Sequence, residues 1–173
     1  MGYLTQWMMC LKHFVSLSLF RSSPANLPTS QACLAITIVA YYAVGLALLL
    51  DQRSALQIFF QVAIDVFMLA LICYLVLRFL GKPQRFLQTL TALVGVGLII
   101  SIAASPLYLM TNEADLEAGN APIILQLNLA VLIWNLAAIS LIFKRSFEIQ
   151  TLLAGFISFN YFLLYELILV STL

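Results

Sequence analysis

Residues 55–79 read ALQIFFQVAIDVFMLALICYLVLRF, and this stretch decides the fold. Its only charged residue before Arg78 is Asp65, close to its middle. About 20 consecutive apolar residues in a helix cross a hydrocarbon core about 30 Å thick. We therefore predict a membrane-spanning helix that carries a carboxyl group at bilayer depth.

Four further apolar stretches surround this one, at 32–50, 87–110, 122–143 and 149–171. Charged breaks separate them, at Asp51 to Ser54, Gly81 to Arg85, Thr111 to Ala121 and Lys144 to Glu148. The last break is short, but a four-span alternative would bring its charges into the bilayer at high cost. The chain is 64% hydrophobic and 9% charged, whereas soluble domains carry about 25% charged residues. The predicted fold is all-α, a polytopic bundle of five transmembrane helices over residues 31–173.

Residues 1–30 form a separate segment before the first span. Apolar residues recur at helical spacing between positions 3 and 20: Leu4, Trp7, Met8, Leu11, Phe14 and Val15. This pattern predicts an amphipathic helix that lies along the cytoplasmic surface of the membrane. Pro24 and Pro28 then interrupt the helix and form a linker, and Ser30 is a candidate cap for the first span.

The Lys and Arg residues predict the orientation. With the amino terminus inside, the outer loops hold Arg53 alone. All other cationic residues lie on the cytoplasmic side: Lys12, Arg21, Arg78, Lys82, Arg85, Lys144 and Arg145. By the positive-inside rule we expect a cytoplasmic amino terminus and a carboxyl terminus on the opposite side of the membrane. The acidic loop with Glu113, Asp115 and Glu117 then lies outside.

Gln57, Gln61 and Asp65 recur every four residues, so they share one face of their helix. A charge at bilayer depth costs several kcal/mol unless it is paired, neutralised or wetted. The stripe is therefore expected to face other helices or a water-filled crevice. Two interpretations stay open: a polar group that fixes helix packing, or a proton or ion relay centred on Asp65.

Further polar residues occur in the later spans. Glu166 is expected to reach the interface or to pair with an amide such as Gln57, and the amides of Asn128, Asn135 and Asn160 are expected to join helices. A small-residue packing seam follows Gly97, Ser101 and Ser105, and a second one follows Thr37, Tyr41 and Gly45. Pro106 predicts a kink near the outer end of the third span.

Several classes of function lack support in the sequence. The lone His13 and the cysteines Cys10, Cys33 and Cys73 match no metal or redox spacing, so we expect no cofactor and read the cysteines as buried apolar thiols. The sequence has no phosphate-binding loop and no nucleophile elbow, and we predict that the chain is not an enzyme. Scattered cations and a net charge of +1 give nucleic acid no binding surface.

The stretch Ser22, Ser23, Pro24, Ala25, Asn26, Leu27, Pro28, followed by five spans and short loops, resembles small bacterial inner-membrane proteins of the Yip type. The resemblance covers most of the chain as architecture and this stretch alone as sequence. It implies a membrane-embedded adaptor fold and carries over no catalytic residue. The chain departs from eukaryotic Yip proteins because it has no long soluble amino-terminal domain, so no trafficking role is implied.

Spans without extramembrane domains, packing seams and no cofactor chemistry favour a noncatalytic subunit. It would scaffold or stabilise a larger inner-membrane complex, or associate with itself, so its expected partners are the lipid bilayer and other membrane subunits. The alternative is a small ion or proton channel or transporter that uses the polar stripe around Asp65.

Cysteine labelling tests the predicted path of the chain. In a variant without native cysteines, Asp115→Cys and Ser171→Cys should both react with an impermeant maleimide added from outside. Position 115 follows three spans and position 171 ends the fifth, and an odd number of spans leads from inside to outside. Gln84→Cys, in a cytoplasmic loop, should react only after the membrane is opened. Labelling of positions 115 and 171 from opposite faces would overturn the topology.

Overall fold

The computed structural model describes residues 3–50, 53–109 and 121–172. All of the regular secondary structure within these residues is helical. The helices are α1 (Tyr3–Ser18), α2 (Gln31–Leu49), α3 (Ala55–Phe79), α4 (Phe86–Ala103), α5 (Ser105–Leu109), α6 (Ala121–Phe147) and α7 (Thr151–Thr172). Short 3-10 turns occupy Pro24–Asn26 and Pro83–Arg85. Five segments are long and apolar enough to cross a membrane, so the predicted all-α, five-span fold is confirmed. The acidic loop with Glu113, Asp115 and Glu117 lies outside the described residues.

The predicted span 55–79 coincides with α3, and two other predicted boundaries need correction. The third span does not run unbroken to residue 110, because α4 ends at Ala103 and α5 begins at Ser105, next to Pro106. Proline cannot donate a helix hydrogen bond, which accounts for this break. The fourth span continues past residue 143 to Phe147. Lys144 and Arg145 therefore lie in its last turn, where cations suit the negative end of the helix dipole.

Serine caps set the starts of two spans. The Ser30 side chain accepts a hydrogen bond from the backbone N–H of Cys33 at 3.3 Å, as the sequence predicts. At the start of α3, Ser54 and Gln57 form a capping box in which each side chain binds the other residue's backbone. Both caps satisfy backbone N–H groups that lack partners within the first helical turn.

Three helices end in the same way, with one residue in the left-handed region: Phe20 after α1, Gly81 after α3 and Glu148 after α6. In each case the next residue donates its N–H to a carbonyl five positions earlier. This closure satisfies carbonyl groups at the helix end. Glycine is the residue that suits the φ of +70° at position 81 without strain, whereas Phe20 and Glu148 adopt a conformation uncommon for their types.

The central element is α4, which packs against α1, α2, α3 and α6. Every residue from Thr89 to Val96 is buried. The hydroxyls of Thr89 and Thr91 donate to the carbonyls of Arg85 and Leu87 in the same helix, so no polar atom of these side chains is left unsatisfied in the core. The other spans surround α4 and expose large apolar side chains, as expected of helices that face lipid.

Helix α1 packs on the bundle through Cys10, Phe14 and Leu17, which are fully buried or nearly so. Met8 and Val15 belong to the predicted apolar face but are exposed, so the buried face is narrower than the apolar pattern predicts. Its position along the membrane surface stays a prediction. All three cysteines are free and buried, which confirms their predicted environment.

Cationic side chains gather where α3, α4 and α6 approach each other, a region we call the cationic end. Glu148 accepts from Lys82, and Arg85 lies 2.7 Å from the same carboxylate. These two cations hold the pKa of Glu148 below its usual value, Lys82 being the larger cause. Arg145 also donates to the Ser22 carbonyl, which ties the amino-terminal linker to this end. Arg53 precedes α3 and therefore lies at the opposite end of the bundle.

The contact between Phe14 and Gly95 yields a stability prediction. A Cβ atom at Gly95 would overlap the Phe14 ring, so Gly95→Ala should lower the free energy of unfolding by about 1–3 kcal/mol. A denaturant titration in detergent micelles measures the change.

Gly155→Ala is the matched control, because its Cβ would lie 3.8 Å from Ser140 Oγ, an ordinary contact. Alanine is favoured over glycine in a helix interior, so Gly155→Ala should raise the free energy of unfolding by roughly 0.5–1 kcal/mol. Equal stability of the two variants would contradict the close contact with Phe14, and Phe14→Leu combined with Gly95→Ala should recover part of the loss.

Candidate functional site

Asp65 is the eleventh residue of α3, so at a rise of about 1.5 Å per residue it lies about 15 Å from the start of the helix. Its side chain is buried, with 8% of the residue exposed. Two tyrosines bind its carboxyl group. The hydroxyl of Tyr41 on α2 donates to Oδ2 at 2.6 Å, and the hydroxyl of Tyr161 on α7 donates to Oδ1. The group therefore has a hydrogen-bond donor on each oxygen and joins three helices in the bundle interior.

Small residues allow Tyr41 and its helix to reach this position. A Cβ on Gly45 would lie 3.2 Å from a Val62 methyl group, so α2 and α3 approach closely there. A Cβ on Gly97 of α4 would lie 3.7 Å from the Tyr41 ring. The predicted small-residue seams thus both contribute to the site, since Gly45 lets α2 approach α3 and Gly97 leaves room for the Tyr41 ring beside Asp65.

A cavity of about 270 Å³ begins at Asp65 and runs toward the Arg53 end. Its walls come from all five spans, and its polar lining consists of Tyr41, Gln61, Asp65, Ser101, Asn135, Tyr161, Tyr165 and Glu166. Apolar side chains such as Leu48, Val62 and Leu169 complete the walls. Eight polar side chains thus face one cavity within a bundle of apolar spans.

The outer part of the cavity carries the second carboxyl group. Glu166 lies one turn beyond Phe162 on α7, toward the Arg53 end, and lines the wall together with Gln61. The guanidinium of Arg53 donates to Gln61 Oε1 at 2.8 Å and is exposed. Arg53 thus lies at the rim of the cavity, whereas Asp65 lies at its base.

A second, much smaller void of about 20 Å³ lies on the other side of Asp65. It is lined by the same tyrosines and by Leu69, Leu93 and Ile139, and it has room for about one water molecule. Farther toward the cationic end, Leu77, Leu90 and Phe143 are buried in the apolar core. The path from Asp65 is therefore wide toward the Arg53 end and filled by apolar side chains toward the cationic end.

The structure brings together part of the predicted polar set. Gln61, Asp65, Asn135 and Glu166 line the cavity, as do Gly97 and Ser101. Ser105 lies outside the cavity lining, because α4 ends at Ala103 and Ser105 begins α5.

Three predicted residues lie apart from the cavity. Gln57 is one turn from Gln61 but serves the capping box of α3. The amide of Asn128 donates to the Ile124 carbonyl at 3.0 Å, and that of Asn160 donates to the Phe156 carbonyl at 2.8 Å. Each of these two amides is thus bound to its own helix backbone.

The tyrosines are the residues that sequence reasoning missed as partners of Asp65. From the sequence alone, Tyr41 is placed only in a packing seam and Tyr161 is assigned no role. They lie 24 and 96 positions from Asp65 in the chain. The sequence did contain a clue to these contacts, because both tyrosines lie in apolar spans near the depth of Asp65. A buried tyrosine hydroxyl usually has a hydrogen-bond partner.

The site combines a carboxyl group that is almost fully buried with an approach lined by amides, hydroxyls and a second carboxyl group. Such groups can exchange protons or bind a solute through charge and hydrogen bonds. Within the described residues, no three His, Cys, Asp or Glu side chains are grouped so as to hold a metal ion.

Substitution of Tyr161 tests whether its hydrogen bond supports the bundle. Tyr161→Phe should lower the free energy of unfolding by about 1.5–3 kcal/mol if Asp65 is charged, since such bonds are stronger than neutral ones. Tyr42→Phe is the control, because the Tyr42 ring packs on Phe59 with 5.3 Å between the centroids and phenylalanine keeps this contact. It should change the free energy of unfolding by no more than about 0.5 kcal/mol. Denaturant titration measures both, and equal values would show that the Asp65 contact does not stabilise the fold.

The chain matches no protein-family model, no curated protein and no solved structure. The resemblance to proteins of the Yip type therefore stays a prediction from the sequence. Five membrane-spanning segments nevertheless mark the chain as an integral membrane protein with a polar cavity around Asp65.

Proposed function

We propose that the chain is a small membrane transport protein that moves protons, alone or in exchange for a small solute, through the Asp65 cavity. The observation that carries this proposal is the cavity itself, about 270 Å³ lined by polar and apolar side chains, which ends on a buried carboxyl group. A polar group needed only for packing is satisfied by its neighbours and requires no space beside it. We place the chain in a bacterial inner membrane with the Arg53 end outside.

The unequal ends of the cavity support a carrier more than an open channel. One side of Asp65 has room for a solute, whereas the other has a void for about one water molecule and then buried apolar side chains. A solute that reaches Asp65 from the Arg53 end therefore meets a closed inner side. A carrier exposes its binding site to one face at a time, and this arrangement corresponds to the outward-facing state.

The earlier hypothesis of a scaffold subunit is the second candidate, and one observation favours it. From Pro122 to Ala130, α6 is exposed at every position except Ile124. An apolar groove of about 300 Å³ separates this part of α6 from Pro106 and Leu107. A helix of another membrane subunit, or of a second copy of this chain, would cover that surface through close packing.

The carrier proposal predicts that Asp65 is required for flux. In proteoliposomes that enclose a pH-sensitive dye, the wild-type chain should dissipate an imposed pH gradient faster than empty liposomes. Asp65→Asn should reduce this additional rate at least tenfold, because the amide cannot take up and release a proton at neutral pH.

The control is Glu148→Gln, the same chemical change at an exposed carboxylate of the cationic end. It should keep the wild-type rate. A rate unchanged by Asp65→Asn would remove Asp65 from transport and would favour the scaffold candidate, provided that both variants elute as single species from a sizing column.

A further inference from the structure

The charges of the cavity restrict what it binds. Apart from the tyrosines, the ionisable side chains that line it are Asp65 and Glu166, and none of its described lining residues is a Lys or Arg. Arg53 binds Gln61 from the rim and is exposed to solvent, where its field is screened. An acidic, partly desolvated cavity attracts a cation and disfavours an anion.

Aromatic rings line the same space. Tyr41, Tyr161, Phe162 and Tyr165 all contribute to the wall, and the rings of Tyr161 and Tyr165 are stacked with 6.3 Å between their centroids. The face of an aromatic ring attracts ammonium groups, and this attraction grows when water is excluded. Rings and carboxyl groups in one cavity form the combination that binds alkylated ammonium groups.

The apolar part of the lining favours an organic cation over an inorganic one. Leu48, Val62, Ile100, Val131 and Leu169 bring alkyl groups to the walls. Divalent inorganic cations such as Ca²⁺ and Mg²⁺ need several oxygen ligands to replace their water. An alkylated ammonium ion gains from the apolar walls as well as from the carboxyl groups, so the lining suits it better.

Size sets an upper limit on the ligand. Cavities that bind drug-sized molecules have volumes of about 300–1,000 Å³. The cavity around Asp65, at about 270 Å³, lies just below this range. A compact cation with a few carbon atoms fits it, and a large polycyclic one does not.

We propose that the Asp65 cavity binds a small organic monocation, an ammonium group with short alkyl substituents. The cation lies between the rings of Tyr41, Tyr161 and Tyr165, and Asp65 supplies the opposite charge at the base. This inference rests on the proposed carrier function, for which it names the class of solute.

Choline and its uncharged isostere 3,3-dimethylbutan-1-ol test the proposal, because they share a shape and differ in charge. Isothermal titration calorimetry with the full chain in detergent micelles should show choline binding at least tenfold more tightly than the isostere. Asp65→Asn should remove this preference, and Glu166→Gln should reduce it while leaving the buried tyrosine contacts of Asp65 in place.

Glu148→Gln is again the control and should bind choline as the wild-type chain does. Equal binding of choline and the isostere by the wild-type chain, or no binding of either, would overturn the proposal. So would an unchanged preference in both Asp65→Asn and Glu166→Gln.

The dye assay separates this failure from that of the carrier proposal. If the pH gradient still dissipates in an Asp65-dependent manner while choline shows no preference, the carrier function stands and the organic cation is wrong. If Asp65-dependent flux and choline binding are both lost, neither proposal survives.

Discussion

The fold depends on how a carboxyl group is accommodated inside a bundle of apolar helices. Asp65 is acceptable there because Tyr41 and Tyr161 each donate a hydroxyl to it, one from α2 and one from α7. Between lipid-exposed helices the hydrophobic effect adds little, so specific polar contacts and close packing decide which helices become neighbours. The carboxyl group thus fixes the relative positions of α2, α3 and α7, and the cavity exists because these helices are held together at that depth.

The sequence predicts the spans well because bilayer thickness is a strict constraint on composition. The uninterrupted apolar run around Asp65 coincides with α3, and the cap at Ser30 was evident from its position before an apolar run. The boundaries that were wrong involve charges and proline. Lys144 and Arg145 extend α6 instead of ending it, because long cationic side chains reach the membrane surface from the last helical turn.

The site was less predictable, since its contacts are distant in the chain. A spacing of four residues correctly placed Gln57, Gln61 and Asp65 on one face, but Gln57 is used by the cap that Ser54 offers. The amides of Asn128 and Asn135 were both expected to join helices. Only Asn135 lines the cavity, whereas Asn128 is exposed and binds the Ile124 carbonyl of its own helix. Periodicity within one helix does not predict which of its positions a second helix will cover.

The three left-handed helix ends have a mechanical consequence. Phe20, Gly81 and Glu148 close α1, α3 and α6, and the ion pairs of Lys82 and Arg85 with Glu148 connect two of these closures. The cationic end is therefore cross-linked between α3, α4 and α6, whereas the opposite end holds the cavity rim. Widening of the rim would then separate the spans at that end and leave them joined at the cationic end, where Lys82 and Arg85 also donate to the carbonyls of Phe147 and Ser146.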